Sequence, residues 1–162
     1  MNNLFDIRGK VALVTGGSRG IGEMIAAGFL ANGVKVYISS RKAEVCNATA
    51  ARLMEQFGGE CISLPANLAE VTGCQQLADE LAARESQLDI LINNAGVSWG
   101  APIDDFPESG WDKVMDTNVK GVFFLTQKLL PLLRQSGSAE DPARVVNVGS
   151  IDGLKNPVFE TF

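Results

Sequence analysis

The chain has 162 residues, 46% of them hydrophobic and 20% charged, a composition that argues against disorder and predicts one globular domain over residues 1–162. Its net charge of −5 argues against nucleic acid as a partner, because binding to a phosphate backbone needs clustered lysine and arginine. The start has no basic segment followed by an apolar run, and no later stretch has the length of a membrane span, so we expect a cytoplasmic protein with no membrane partner.

Histidine is absent from the sequence, which excludes histidine-based catalytic triads and the commonest zinc sites. The three cysteines, Cys46, Cys61 and Cys74, are odd in number and show no paired spacing. They predict neither a disulfide framework nor a metal site, and we expect them to be reduced, half-buried packing residues. Acid–base chemistry must therefore use other groups.

The first predicted unit is a strand followed by a helix. An apolar, β-branched run over residues 10–15 predicts the strand. The helix after it is expected to end at Gly33. Its predicted core face consists of Ile21, Met24, Ile25 and Phe29.

A second strand is predicted over residues 34–39 and a third over residues 61–64. The helix between them has apolar positions at four-residue spacing and should end at a pair of glycines. Its predicted core face consists of Val45, Thr49, Leu53 and Phe57.

The second half of the chain continues the alternation, with strands predicted over residues 88–93 and 144–148. Before the first of these, a helix should pack through Cys74, Leu77, Ala78 and Leu81. Between them, a long helix is predicted over residues 108–134, with Pro131 kinking or ending it. Its predicted core positions are Trp111, Val114, Met115, Val122, Leu125 and Leu129.

Five strands joined by helices predict an α/β fold of the Rossmann type. Parallel neighbours need crossover connections, and right-handed crossovers place helices on both faces of the sheet. We therefore expect a doubly wound parallel sheet with the strand order 3-2-1-4-5.

The most informative segment is a glycine-rich turn, residues 15–22, between the first strand and the first helix. Glycine allows positive φ and close backbone approach, and a helix N-terminus offers N–H donors to a phosphate. A glycine cluster alone is a weak signal, for which a merely tight turn is the alternative, but its strand–turn–helix context favours a pyrophosphate site. The residues expected to bind the cofactor here are Gly16, Ser18, Arg19, Gly20, Ile21 and Gly22.

The spacing G-x-x-x-G-x-G of this turn resembles the short-chain dehydrogenase/reductase family. A second motif, Asn-Asn-Ala-Gly at residues 93–96, resembles the family motif that borders the cofactor and implies cofactor contacts at Asn94, Ala95 and Gly96. The resemblance covers the chain from about Ile7 onward.

Within the family, residues 11–25 and 93–99 look closest to bacterial 3-oxoacyl-acyl-carrier-protein reductases. The segments Ser98-Trp99-Gly100 and Gly110-Trp111 resemble the rhamnolipid-type β-ketoacyl reductase branch. The resemblance implies an NADP(H)-dependent reduction of a carbonyl, with a small carbonyl compound or an acyl thioester as the substrate. A homodimer or homotetramer is implied for the longer parent protein.

The end of the second strand bears on the choice of cofactor. A carboxylate there would bind the ribose hydroxyls of NAD, but this strand is followed by Arg41 and Lys42. Arg41 can pair with the 2′-phosphate of NADP(H), and Arg19 can reach it from the glycine turn. Ordinary solvated charges at a helix start are the alternative, although cations are unfavourable at that end of a helix dipole. We therefore expect NADP(H).

Asn67 follows the third strand, where the family usually has an aspartate that accepts a hydrogen bond from the adenine amino group. The amide oxygen of Asn67 can accept that bond without charge, so the resemblance implies a cofactor contact at Asn67 and its neighbour Leu68. A turn residue without a ligand is the alternative for Asn67.

Catalysis in the family uses a tyrosine as proton donor, a lysine that lowers its pKa, a serine and an asparagine. Asn118 and Ser150 fall where the family places the last two, although a serine after a strand is commonly only a turn or cap residue. The chain's one tyrosine, Tyr37, lies in the second strand, and family spacing puts the tyrosine and lysine just beyond Phe162.

We therefore interpret the chain as the N-terminal part of a longer enzyme and expect it to be inactive alone. The alternatives are a nucleotide-binding module without turnover and a structural subunit that uses the fold only for association. A missing continuation would leave the fifth strand as an exposed edge and the long helix without its neighbour.

Overall fold

The computed structural model describes residues 5–154 and shows a five-stranded parallel sheet in the order β3-β2-β1-β4-β5. The strands are β1 (Val11–Thr15), β2 (Lys35–Ser39), β3 (Cys61–Ser63), β4 (Ile90–Asn93) and β5 (Arg144–Asn147). All four neighbouring pairs are parallel, so the predicted Rossmann-type fold class and strand order are confirmed.

Helices connect the strands in chain order. They are α1 (Gly20–Ala31), α2 (Ala43–Phe57), α3 (Val71–Ala82), α4 (Glu108–Met115) and α5 (Gly121–Ser136). A π-helical segment, Asp116–Lys120, joins α4 to α5, and short 3₁₀ helices span Ile103–Asp105 and Ile151–Gly153.

The core has two layers, one on each face of the sheet. Leu13 of β1 faces a cluster that includes Leu77 of α3 and Leu125 of α5. Its neighbour Val14 faces the opposite cluster, which includes residues of α1 and α2. Because β1 and β4 are buried on both faces, every residue of each is buried, which explains why both appear in the sequence as continuous apolar runs.

The predicted core face of α1 is wrong in part. Ile21 and Met24 are 58% and 65% exposed, whereas the buried residues are Gly22, Ala26 and Leu30. Small residues let the helix axis approach the sheet closely, so the packing selects the small side chains rather than the largest ones.

The predicted face of α2 is correct in its middle and wrong at its ends. Thr49 and Leu53 are buried, but Val45 and Phe57 are exposed. Each four-residue step turns the helix by about 40° beyond a full turn, so a strict four-residue pattern leaves the core face at both ends. The predicted face of α3 is buried throughout.

The long predicted helix is divided by the π-helical segment, and its N-terminal part does not carry the expected core. Trp111 and Met115 are exposed, whereas Leu125 and Leu129 are buried as predicted. Pro131 does not end α5, which continues to Ser136. Its ring lies on the exposed face of α5. The buried residues on the opposite face of the helix pack it against the sheet.

The three cysteines are free, but they are fully buried rather than half-buried as predicted. Cys46 and Cys61 lie in the same apolar layer, and burial raises the pKa of Cys61 to about 12. Burial also raises the pKa of Cys74. All three therefore serve the core as small apolar side chains.

β5 lies at the edge of the described sheet, where Val145 and Val146 are 41% and 46% exposed. The predicted exposed edge is therefore confirmed. No helix within residues 5–154 combines the length and the apolar character that crossing a bilayer requires.

One close contact fixes α1 against the strand ends. A Cβ atom at Gly22 would collide with the carbonyl oxygen of Gly16 and would lie 2.5 Å from the side-chain nitrogen of Asn94. Gly28, on the same helix, has no atom within 4 Å of the corresponding position. The first glycine is therefore required by packing and the second is not.

Gly22→Ala is expected to lower the free energy of unfolding by about 1–3 kcal/mol, because backbone atoms must move to admit the methyl group. Gly28→Ala is the matched control and should raise stability by up to about 1 kcal/mol, since alanine is the better helix former. Urea unfolding followed by far-ultraviolet circular dichroism measures both. Equal effects of the two substitutions would contradict the packing described here.

Candidate functional site

An open crevice of about 1090 Å³ lies where the carboxyl ends of β4 and β5 meet the beginning of α1. Side chains from the π-helical segment and α5 form its other wall. In open parallel sheets, ligands bind outside the carboxyl ends of the strands at the point where the strand order reverses, which in this sheet lies between β1 and β4. Six predicted site residues line the crevice together: Ile21, Asn94, Ala95, Gly96, Asn118 and Ser150.

The glycine turn supplies the main-chain side of the site. Gly16 and Gly20 adopt φ angles of 66° and 56°, which a side chain would disfavour. The amide of Glu23 donates to the Arg19 carbonyl. The amides of the helix residues that precede Glu23 therefore lie at the open N-terminal end of α1. No side chain caps this end. The turn therefore presents main-chain donors and the positive end of a helix dipole, an arrangement suited to an anion.

Thr15 joins the end of β1 to the end of β4. Its hydroxyl oxygen accepts hydrogen bonds from the amides of Asn94 and Ala95, both at 3.0 Å, and donates to the Ile92 carbonyl at 3.2 Å. The side-chain amide of Asn94 donates back to the Thr15 carbonyl at 3.0 Å. Thr15 was not among the predicted site residues, although a polar residue that ends an apolar strand is a signal for such a role.

Asn93 was also missed as an individual site residue. It is 3% exposed, and its amide nitrogen donates to the hydroxyl of Thr126 at 3.1 Å and to the side-chain oxygen of Asn147 at 2.9 Å. Asn147 is its direct partner in the β4–β5 register. The three side chains connect β4, β5 and α5, and all three line the crevice.

Asn118 lies in the π-helical segment and holds the loop that follows β4. Its side-chain oxygen accepts from the amide of Val97 at 2.9 Å, and its side-chain nitrogen donates to the Val97 carbonyl at 2.8 Å. This pair of bonds fixes the loop against the helix, so in this structure Asn118 orients one wall of the crevice.

Trp99 anchors the same loop further along. A Cβ atom at Gly110 would lie 2.7–2.8 Å from three atoms of the Trp99 ring, so the indole rests directly on the backbone of α4. The ammonium of Lys113 lies 4.9 Å from the centre of that ring. The loop is therefore held by α4 and by Asn118.

Ser150 follows β5 and lines the crevice. Its hydroxyl accepts from the amide of Asp152 at 3.2 Å, so it caps the short 3₁₀ helix Ile151–Gly153. Ser150 therefore has the capping role that was expected as an alternative to catalysis. Its hydroxyl also lies in the wall of the crevice.

The remaining predicted residues of the glycine turn and β2 do not line this crevice. Ser18 is buried, whereas Arg19 and Arg41 are exposed. Neither arginine forms a salt bridge with another residue of the described chain. The guanidinium groups of Arg19, within the turn, and Arg41, two residues after β2, therefore have no carboxylate partner among the described residues.

Asn67 forms a turn, which was the alternative expected for this residue. Its side-chain oxygen accepts from the amide of Ala69 at 3.4 Å, and its side-chain nitrogen donates to Glu70 at 2.7 Å. Leu68 is 8% exposed and packs in the core with α3 and α5. Both residues thus have structural roles independent of any ligand.

Tyr37 cannot serve as the proton donor in this crevice. It is 1% exposed, and its hydroxyl donates to Glu85 at 2.6 Å. Burial, followed by the hydrogen bond and the charge of Glu85, raises the pKa of Tyr37 to about 12. A catalytic phenol needs a pKa shifted the other way, toward neutrality.

The chain is similar in sequence to a family of enzymes and to individual members of it. The family model described as short chain dehydrogenase matches residues 10–161. A rhamnolipids biosynthesis 3-oxoacyl-(acyl-carrier-protein) reductase of Pseudomonas aeruginosa is 53% identical over 154 residues, covering 95% of this chain and 59% of the relative. A 3-oxoacyl-(acyl-carrier-protein) reductase of Synechocystis is 33% identical over 146 residues, covering 90% of this chain and 57% of that protein.

Solved structures of related proteins also match this chain. The Pseudomonas aeruginosa RhlG/NADP active-site complex superposes with a TM-score of 0.93 at 51% identity, covering 99% of this chain and 62% of that one. A metagenomic short-chain oxidoreductase in complex with NADP gives a TM-score of 0.84 at 31% identity, covering 96% and 68%. The chain therefore spans about three fifths of the length of the Pseudomonas proteins it matches. The match over residues 10–161 and the shared fold show that the chain belongs to the short chain dehydrogenase family.

Proposed function

We propose that this chain is part of an NADP(H)-dependent oxidoreductase that reduces a carbonyl to an alcohol by hydride transfer, with a 3-oxoacyl thioester as its substrate. The observation that carries the proposal is the single crevice shared by Ile21 of the glycine turn helix, Asn94 after β4 and Ser150 after β5. The reductase and NADP complex from Pseudomonas aeruginosa support the substrate class and the cofactor.

The residues present fit this cofactor. The amides that follow Arg19 at the open end of α1 would hold the pyrophosphate, because no side chain caps them and because Gly16 and Gly20 carry no side chain that could block the approach. Arg19 and Arg41 would hold the 2′-phosphate, since both are exposed and lack a carboxylate partner in the described chain. Asn67 and Leu68 would lie near the adenine. Asn94, Ala95 and Gly96 would lie near the nicotinamide.

The bound cofactor would supply the hydride, and the chain would position the carbonyl. Ser150 offers a hydroxyl in the crevice wall that can hydrogen-bond a carbonyl oxygen. Asn118 fixes the opposite loop through Val97. Because Tyr37 is buried with a raised pKa, we place the proton donor in the part of the relatives' length that this chain does not span.

The alternative is a nucleotide-binding module without turnover. It is favoured because no tyrosine hydroxyl lines the described crevice.

We also propose that the longer protein is one domain, cytoplasmic, and assembled as a homodimer or homotetramer. Trp111, which is 59% exposed on α4, supports the assembly, because it lines an apolar hollow together with Ile103 and Met115 and exposed apolar surface of this kind is typical of an interface.

Arg41→Ala is expected to weaken NADPH binding by about tenfold, because a charge-assisted hydrogen bond to the 2′-phosphate is lost. NADH binding should change by less than about twofold on the same reasoning, since that phosphate is missing. The control is Arg84→Ala, which removes a guanidinium that bonds the Glu80 carbonyl at the end of α3. Titration of each protein with both nucleotides gives the ratios. A similar loss of affinity for both would show that Arg41 does not contact the 2′-phosphate.

Turnover separates the enzyme from the binding module. A protein that extends this chain to the full length of its relatives should oxidise NADPH when given an acetoacetyl thioester, whereas the 162-residue chain should bind NADPH without oxidising it. Absorbance of NADPH during the reaction measures this directly. Binding by the longer protein without any turnover on ketones or thioesters would favour the binding module and overturn the reductase assignment.

A further inference from the structure

Thr49 makes an unusual contact for a threonine within a helix. It lies in the second turn of α2, is 5% exposed, and donates its hydroxyl proton to the main-chain carbonyl of Ser18 at 3.0 Å. A helical threonine ordinarily bonds a carbonyl of its own helix three or four residues earlier. Here the bond crosses 31 residues of sequence to reach the glycine turn.

The bond acts on the peptide that carries Arg19. The Ser18 carbonyl belongs to the peptide unit that ends at the Arg19 nitrogen, and Arg19 is extended, with φ −167° and ψ 164°, where α1 begins. Because a peptide unit is planar, holding its oxygen also fixes the direction in which the Arg19 backbone leaves it. Thr49 therefore constrains where the Arg19 side chain starts.

The same helix is fixed relative to Arg41. α2 begins at Ala43, two residues after Arg41, and the Cys46 thiol in its first turn contacts the Ile38 carbonyl at 3.4 Å. α2 is thus joined to β2 at one position and to the glycine turn at Thr49. Arg41 therefore lies just before α2 in the chain, and the backbone of Arg19 is held to the same helix through the Ser18 carbonyl.

We propose that Thr49 is a positioning residue that sets the spacing of Arg19 and Arg41 and thereby favours NADPH over NADH. The inference rests on the proposed NADP(H) function. A pyrophosphate is common to both nucleotides and would be held by the main chain beyond Gly20, whereas the 2′-phosphate depends on both guanidinium groups. Loss of the Thr49 bond should therefore affect one nucleotide more than the other.

A second contact between α1 and α2 does not replace this bond. Arg52 forms a 2.8 Å ion pair with Glu23, but Arg52 is about half exposed. Exposed ion pairs contribute little to holding a fixed geometry, whereas a buried carbonyl that loses its donor is costly. The Thr49 hydroxyl is therefore the buried contact by which α2 holds the Ser18 carbonyl of the turn.

The test uses the 162-residue chain and four proteins: wild type, Thr49→Val, Thr49→Ser and the control Thr72→Val. Thr72 is an exposed threonine near the start of α3, away from the turn. Valine keeps the shape of threonine and removes the hydroxyl, whereas serine keeps the hydroxyl. NADPH and NADH are titrated separately against each protein, with nucleotide fluorescence as the readout.

Thr49→Val should weaken NADPH binding by about fivefold, corresponding to one lost hydrogen bond, and NADH binding by less than about twofold. Thr49→Ser and Thr72→Val should retain the wild-type ratio of affinities. A role confined to stability would lower both affinities together or neither, so the ratio separates positioning from folding. If Thr49→Val does not fold, Thr49→Ala, which leaves room for water at the Ser18 carbonyl, is measured in its place with the same expected ratio.

An unchanged ratio in Thr49→Val, or a serine variant that behaves like the valine variant, would overturn the inference while leaving the proposed function intact. If the wild-type chain itself shows no preference for NADPH, the proposed cofactor is wrong and the role of Thr49 falls with it. The two failures are distinguished by whether they appear in the wild type or only in the variant.

Discussion

The site depends on the close approach of the glycine turn after β1 to the end of β4. The Gly16 carbonyl and the Asn94 side chain fill the space that a side chain at Gly22 would need. With that space closed, Thr15 can hold the two amides that follow β4. The beginning of α1 and the loop after β4 then open into one crevice. A functional site at this edge is thus a consequence of backbone packing before any side-chain chemistry is considered.

The sequence predicted the sheet well because its central strands are buried on both faces. Such strands are continuous apolar runs, and the alternation of strands and helices matches the dinucleotide-binding fold, whose strand order is known. Helix faces were harder to predict. The face of α1 that packs on the sheet begins with Gly22 and Ala26, whose small side chains carry little hydrophobic signal. Ile21 looked like a core residue but lies in the crevice wall.

The site was predictable where it consists of main chain and unpredictable where it consists of contacts between distant side chains. Glycine spacing identified the turn, and family resemblance identified Asn118. Nothing in the local sequence shows that Asn118 would bind Val97, or that Thr49 would bind the Ser18 carbonyl, because these pairs form only after the sheet brings separate connections together. Long-range polar contacts of this kind give the crevice its fixed shape.

If main-chain amides of the turn bind the cofactor pyrophosphate, as proposed, their chemical shifts must change when the nucleotide is added. In a nitrogen-15 spectrum of the 162-residue chain, NADPH should produce its largest shifts at Gly20, Ile21 and Gly22, with smaller shifts at Asn94 and Ala95. A spectrum that does not change when NADPH is added would show that the turn does not bind the pyrophosphate. A spectrum whose largest shifts lie on α3 or α4 would show the same.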